Sequence, residues 1–260
     1  MLCRKRARVV VALCLLLFLW QYFRAPTAGI GHFFWSPSLL DVRLQPHCTV
    51  SVNSSAWFNT RYDAAVGPLL TVRAQNLSSD VIHWWLKLQS SPSGAQLQAT
   101  IQHLFAVLPS PTSSTWDASQ CRTCAVVGNS GRLKGSHHGP RIDSHDWVLS
   151  TYMRVRQFIK ADKNKVLILS PAFLKYIHDN WTQRHGKYPS TGFTTLLFAL
   201  HACQQVSVFG FGADTKGNWH HYWEENRYSG AFRRTKVHDA DVEFSIIKRL
   251  AAEGRIFFYE

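Results

Sequence analysis

An α/β fold on a mostly parallel sheet is what the sequence predicts for residues 57–260, and three observations predict it. Short apolar runs alternate with helical patterns along the chain, the sign of strand–helix–strand units. Two of these runs end in glycine turns, Gly128-Asn129-Ser130-Gly131 and Gly210-Phe211-Gly212, as strands that feed loops do. Apolar residues make up 46% of the 260 residues against 17% charged, with 10 Trp, 16 Phe and 8 Tyr. That many large side chains can fill a core, which excludes bulk disorder. The length suits one sizeable domain and an appendage.

The appendage comes first. Arg4, Lys5, Arg6 and Arg8 precede an almost unbroken apolar run over 9–20, extended by Tyr22 and Phe23. Residues 7–23 are slightly short of the ~20 typical of a membrane span. The basic flank also fits a cleaved signal peptide, but only the weak Ala25-Pro26-Thr27-Ala28 could serve as a cleavage site. A signal-anchor is therefore expected, with residues 1–6 cytoplasmic and the chain beyond about residue 24 in the lumen. Residues 24–56, with several prolines and little periodicity, read as a stem.

From residue 57 to about 108 the pattern is helical, for example over 81–88 and 97–108. Residues 109–119, rich in Ser, Thr and Pro, read as a loop. Strands are expected over 125–127, 166–169, 206–209 and 256–259. Pro171 opens a helix to about 181. Ser190-Thr191-Gly192 caps another over 193–203. A last one runs from 239 to 252 and is stopped by Gly254. There is no internal repeat.

Cysteines and charge narrow the setting. Cys3 and Cys14 lie in the tail and anchor, which leaves Cys48, Cys121, Cys124 and Cys203 on the lumenal side with three pairings open. Cys121 and Cys124 have CxxC spacing, but no second close Cys pair completes a zinc site, so each is expected to be bonded elsewhere. Sequons stand at Asn53, Asn76 and Asn180. Lys and Arg outnumber Asp and Glu by 29 to 16, a formal +13, which points to an anionic partner. Basic residues scattered rather than striped, in a lumenal domain, argue against nucleic acid.

In parallel sheets ligands collect where strands end and helices begin, since glycine admits a close backbone and helix N-termini favour anions. Gly128-Asn129-Ser130-Gly131, Ser190-Thr191-Gly192 and Gly210-Phe211-Gly212-Ala213-Asp214 have that character. None matches a Walker loop or GxGxxG. Together they suggest a phosphate-bearing donor. Histidine is the second sign. His220 and His221 lie among aromatics, on opposite sides if that segment is extended. His238 stands just before the final helix, with Glu243 five residues on. A helix N-terminus biases imidazole toward the neutral form a general base needs. His220, His221 and His238 match no standard zinc spacing.

Taken together these segments resemble the eukaryotic sialyltransferases. Cys124-Ala125-Val126-Val127-Gly128-Asn129-Ser130-Gly131 is similar to the opening of that family's large motif. Tyr188-Pro189-Ser190-Thr191-Gly192, through Cys203 to Phe211-Gly212, resembles the small motif. His220-His221-Tyr222-Trp223 resembles the third motif, and His238 with Glu243 the very small one. Residues 173–243 are most similar to the β-galactoside α-2,3-sialyltransferases that act on Galβ1-3GalNAc. The resemblance implies a single-pass type II Golgi membrane protein with a GT-A-like, Rossmann-like variant fold. It implies transfer of sialic acid from CMP-sialic acid to galactose O3 with inversion, no metal and no cofactor beyond the donor; homodimerisation is left open. It makes His238 the base and His221 the donor to the departing phosphate. Asn129, Tyr152, Tyr188, Ser190, Gly192 and Gly212 would line the nucleotide pocket, and Gln89 would touch the acceptor. Cys124–Cys203 and Cys48–Cys121 would be disulfides.

One stretch departs from the family. Its large motif continues into a strand and a turn that brings a second asparagine to the donor. Here Trp147-Val148-Leu149-Ser150 passes directly into Thr151-Tyr152-Met153, which resembles a much later segment. A central block is therefore lacking, and its loss is expected to remove strands and bare their neighbours' edges. A catalytically silent lumenal protein that binds CMP or a partner is the alternative.

Overall fold

Strand placement explains where a site can form. The structure, a computed structural model, describes residues 55–89, 93–107, 121–150, 167–213 and 236–260. Helix α1 (Ala56–Asn59) is capped by Ser55, whose Oγ accepts from Phe58 N. A 3-10 turn (Val72–Ala74), α2 (Ser79–Gln89) and α3 (Gly94–Val107) follow. The helical pattern over 57–108 is thus several pieces, interrupted at Gly67-Pro68, where proline cannot continue a helix. Then come β1 (Thr123–Val127), α4 (Gly139–Asp143), β2 (Trp147–Ser150) and α5 (Pro171–Tyr176). After α5 the chain widens into a π-turn (Ile177–Trp181), and α6 (Thr191–Ala202), β3 (Gln205–Phe209), α7 (Ala240–Ala252) and β4 (Phe257–Tyr259) complete the described elements.

Two expectations are corrected. The run at 166–169, described from 167 on, adds no strand to the sheet. Leu169 makes one antiparallel bridge to Leu69, with Leu70 N donating to Ile168 O and Ser170 N to Pro68 O. Ser170 caps α5 and Pro171 opens it, so the extended stretch ends before it can pair further. The helix predicted over 171–181 is not uniform, because the π-turn interrupts it from Ile177. Strand β2 is an element that the local pattern had not separated from its motif.

Among the described residues the sheet pairings are parallel, in the order β2-β1-β3-β4. The register sets Cys124 beside Val206 and Val127 beside Phe209. From β1 the chain steps to one side and from β3 to the other, so the carboxyl ends of β1 and β3 flank the switch point where α/β sheets bind ligands. Val126, Val208, Phe173, Phe193, Leu196, Leu197 and Leu250 are almost wholly buried around this sheet. Each such side chain contributes ~1.5–3 kcal/mol on leaving water. Cys124 in β1 is bonded to Cys203 at the end of α6, as the resemblance implies. Cys121 is also disulfide-bonded; Cys48 lies outside the described residues. So does the expected anchor at 7–23, and no helix among the described residues is long and apolar enough to cross a membrane.

Candidate active site

Three glycine turns meet on one aromatic ring. A Cβ on Gly128 would lie 2.3 Å from Gly210 O and 2.9 Å from the Phe211 ring, and one on Gly192 3.0 Å from Phe211 Cε1. Side chains at either position would push the loop after β1, the loop after β3 and the first turn of α6 apart. Gly210 and Gly212 take φ values of +67° and +108°, which glycine adopts readily. Ser130 clamps the two loops: its N donates to Gly210 O at 3.0 Å and its Oγ to Gly212 O at 3.0 Å. Arg132 Nε adds a bond to Ala213 O at 2.7 Å. Asn129 sits in the turn that these contacts shape. Asn129, Gly192 and Gly212 thereby stand on turns that pack together beyond the carboxyl ends of β1 and β3, and Ser190 immediately precedes the helix that carries Gly192.

The second half of the site comes from α7 and the strap before α6. His238 precedes Asp239, whose Oδ1 caps α7 by accepting from Val242 N. The Nδ1 of His238 lies 2.9 Å from Tyr188 O. A carbonyl only accepts, so the proton belongs on Nδ1 and Nε2 is the basic nitrogen of the neutral ring. The Tyr188 ring meets the imidazole edge-on at 4.8 Å between centroids. Lys187 N donates to Val237 O at 2.8 Å, and Gly186, at φ +75°, passes close against Val237 and His238.

Glu243 joins the halves. From the first turn of α7 its carboxylate accepts from Ser190 N at 2.7 Å and from Ser190 Oγ at 2.5 Å. Ser190 Oγ also accepts from Phe193 N and caps α6. Burial pushes the Glu243 carboxyl up to about 7, against the pull of its bonds to Ser190, with the nearby Asp239 charge adding to the rise. His185 lies 3.3 Å from Asp239 on the outer side.

Beside this corner lies a cavity of about 490 Å³, within the range of small-molecule sites. One wall carries Tyr188, Thr191, Thr194 and Thr195; the other carries Trp84, Trp85, Leu88 and Gln89 of α2 with Leu174. A lining that mixes polar side chains with indole rings suits a sugar, which presents hydroxyls at its rim and C–H groups on its face. Gln89 and Tyr188, assigned to acceptor and donor by the resemblance, border the same space. His221, Tyr152, Cys48 and Asn53 lie outside the described residues, whereas Asn76 and Asn180 are exposed. Phe211, Trp84 and Trp85 were not singled out from sequence. The clustering of glycines around one aromatic, and a Trp pair on a helix face, were the available signs. Among the described residues no group of three or more His, Cys, Asp and Glu is placed to hold a metal ion.

Comparison with known proteins bears on this geometry. The model of glycosyltransferase family 29 (sialyltransferase) matches residues 69–150 and 148–255, and the two matched pieces meet where the central block is lacking. The chain is 38% identical over 273 residues to CMP-N-acetylneuraminate-beta-galactosamide-alpha-2,3-sialyltransferase 2 of Mus musculus, covering 82% of this chain and 78% of that one. It is 34% identical over 334 residues to the corresponding sialyltransferase 1 of Homo sapiens, covering 99% and 98%. That alignment is longer than the chain's 260 residues, so the relative carries residues absent here. A crystal structure of a mammalian sialyltransferase in complex with Gal-beta-1-3GalNAc-ortho-nitrophenol is similar at a TM-score of 0.67 and 34% identity, covering 79% of this chain and 94% of that one.

Proposed function

The chain belongs to glycosyltransferase family 29, the sialyltransferases, and on that premise we propose that it moves sialic acid from CMP-sialic acid to O3 of the galactose in Galβ1-3GalNAc. His238 takes the proton from the galactose 3-hydroxyl as that oxygen attacks the anomeric carbon of sialic acid. The bond from that carbon to the CMP phosphate oxygen breaks on the opposite face, so the centre inverts. CMP leaves as a phosphate monoester, and His221 donates a proton or hydrogen bond to it in place of a metal. Asn129, Tyr152, Tyr188, Ser190, Gly192 and Gly212 hold the nucleotide in this reading, and Gln89 touches the acceptor. The sequence supports a type II Golgi membrane protein, anchored through residues 7–23.

The observation that carries the reading is the bond from His238 Nδ1 to Tyr188 O. It fixes the imidazole against Tyr188, and Tyr188 lines the cavity together with Gln89. The test supplies the full-length chain with CMP-sialic acid and Galβ1-3GalNAc and identifies the product linkage. An α-2,3 product, with His238→Ala slowing transfer ~10²–10⁴-fold, is the expected result. Undiminished turnover by that variant would refute the assignment of the base.

The shortfall against the human relative favours a second reading, in which the chain binds CMP without turnover. Calorimetric titration with CMP, alongside the transfer assay, separates the two: binding with no transfer selects the silent form.

A further inference from the structure

The indole wall of the cavity rests on a buried imidazole that the transfer chemistry does not use. His178 is 7% exposed, and its Nδ1 has no hydrogen-bond partner among the described residues. A buried polar atom left unpaired costs ~1–3 kcal/mol, so the ring holds its place for another reason. Its neighbour is Trp84, with ring centroids 5.6 Å apart and planes 31° from parallel. Trp84 in turn lines the cavity beside Trp85, Leu88 and Gln89.

Two independent features converge on that contact. His178 lies in the π-turn Ile177–Trp181; such single-turn insertions occur frequently at functional sites because they re-aim one residue out of helical register. Lys175, on the turn before, pairs with Asp80 in the first turn of α2 at 3.3 Å and is bonded to Asp179. The ion pair ties the first turn of α2 to Lys175. One turn further along the helix, the Trp84–His178 contact ties it again to the segment that follows α5. Trp85 and Gln89 stand on the same helix beside that second tie.

We propose that His178 is a positioning residue for acceptor recognition, its ring seating Trp84 so that the α2 wall faces the sugar. The inference rests on the functional reading above and adds a residue with no direct contact to substrate. The test measures binding of Galβ1-3GalNAc and of CMP separately by calorimetry, for the full-length native chain, His178→Ala, His178→Phe and Trp84→Ala. His178→Ala should weaken disaccharide binding about tenfold, the size of one aromatic contact, and leave CMP affinity unchanged. His178→Phe, which keeps a ring, should stay within about twofold of native. Trp84→Ala should show the same selective loss, and the double variant should bind no worse than Trp84→Ala alone, since both break one contact. Equal weakening of both ligands, no change in either, or additive losses in the double variant would each overturn the inference while leaving the functional reading in place. Should His178→Ala fail to fold, His178→Phe and Trp84→Ala still decide it. A native chain that binds no disaccharide would overturn the functional reading, and this inference with it.

Discussion

The corner around Phe211 and the edge at β2 are built in opposite ways. At the corner, turns pack closely and are cross-bonded: Gly128 against Gly210, Ser130 bonded to both Gly210 and Gly212, Glu243 bonded to Ser190. At the edge, β2 pairs with β1 along its length, and side-chain contacts fasten its start. Asp146 accepts from Thr123 N and Oγ1 at 2.8 and 2.9 Å, and Arg122 lies 4.1 Å over the Trp147 ring. Val148, one residue on, is 47% exposed. The lacking block falls immediately after this strand, at the margin of the described sheet rather than at the β1–β3 switch point. None of the hydrogen bonds described for His238, Tyr188, Ser190 and the glycine turns involves a residue of β2. Under the proposed function, loss of the block would bear on the donor side, where the resemblance puts a second asparagine, more than on His238.

That contrast can be broken or sharpened by perturbing each region. The largest expected effect is at the disulfide from β1 to α6, whose cysteines are 79 residues apart. Cys203→Ala should cost about 4 kcal/mol, through the freedom returned to the unfolded chain, seen as a lower urea midpoint. Gly128→Ala comes next. Its Cβ would meet a backbone carbonyl at 2.3 Å, so loops must move, at about 3 kcal/mol, and nucleotide affinity measured by calorimetry should fall with stability.

Glu243 gives an effect of similar size that depends on pH. Its carboxyl is raised from 4.5 to about 7 in the fold, first by burial. The folded state therefore holds this proton more tightly than the unfolded state. The resulting stabilisation is full below about pH 4.5 and disappears as pH rises through 7, about 3 kcal/mol at most. Urea unfolding at pH 5 and pH 8 should show that decline in the native chain and a smaller one in Glu243→Gln. The smallest effect is expected at the edge: Val148→Thr should change stability by no more than about 0.5 kcal/mol. If it cost as much as Gly128→Ala, the contrast between corner and edge would be wrong.

Sequence legibility divides along the same line. Features set by neighbouring residues were readable: the apolar strands at 125–127 and 206–209, the Ser190 cap, Pro171 at a helix start and Gly254 at a helix end. These depend on local propensity and turn chemistry. Features set by distant partners were not. Leu169 meets Leu69, so the 166–169 run became a bridge instead of a sheet strand. Ile177-His178-Asp179-Asn180-Trp181 has an ordinary helical pattern, and the inserted residue of its π-turn leaves no local mark. In the sequence Phe211 belongs to a glycine turn; only the folded backbone shows it as the filler between Gly128 and Gly192. Of the site, the motifs supplied the residue identities, whereas the Glu243–Ser190 bond and the seating of Trp84 on His178 needed the packed structure.

The central proposal is that His238, bonded to the Tyr188 carbonyl, is the base. Its most direct test is kcat/KM for the acceptor in the native chain and in His238→Gln, with CMP affinity measured beside it. The account predicts transfer slowed ~10²–10⁴-fold with CMP affinity unchanged. A variant that kept the native rate would contradict it.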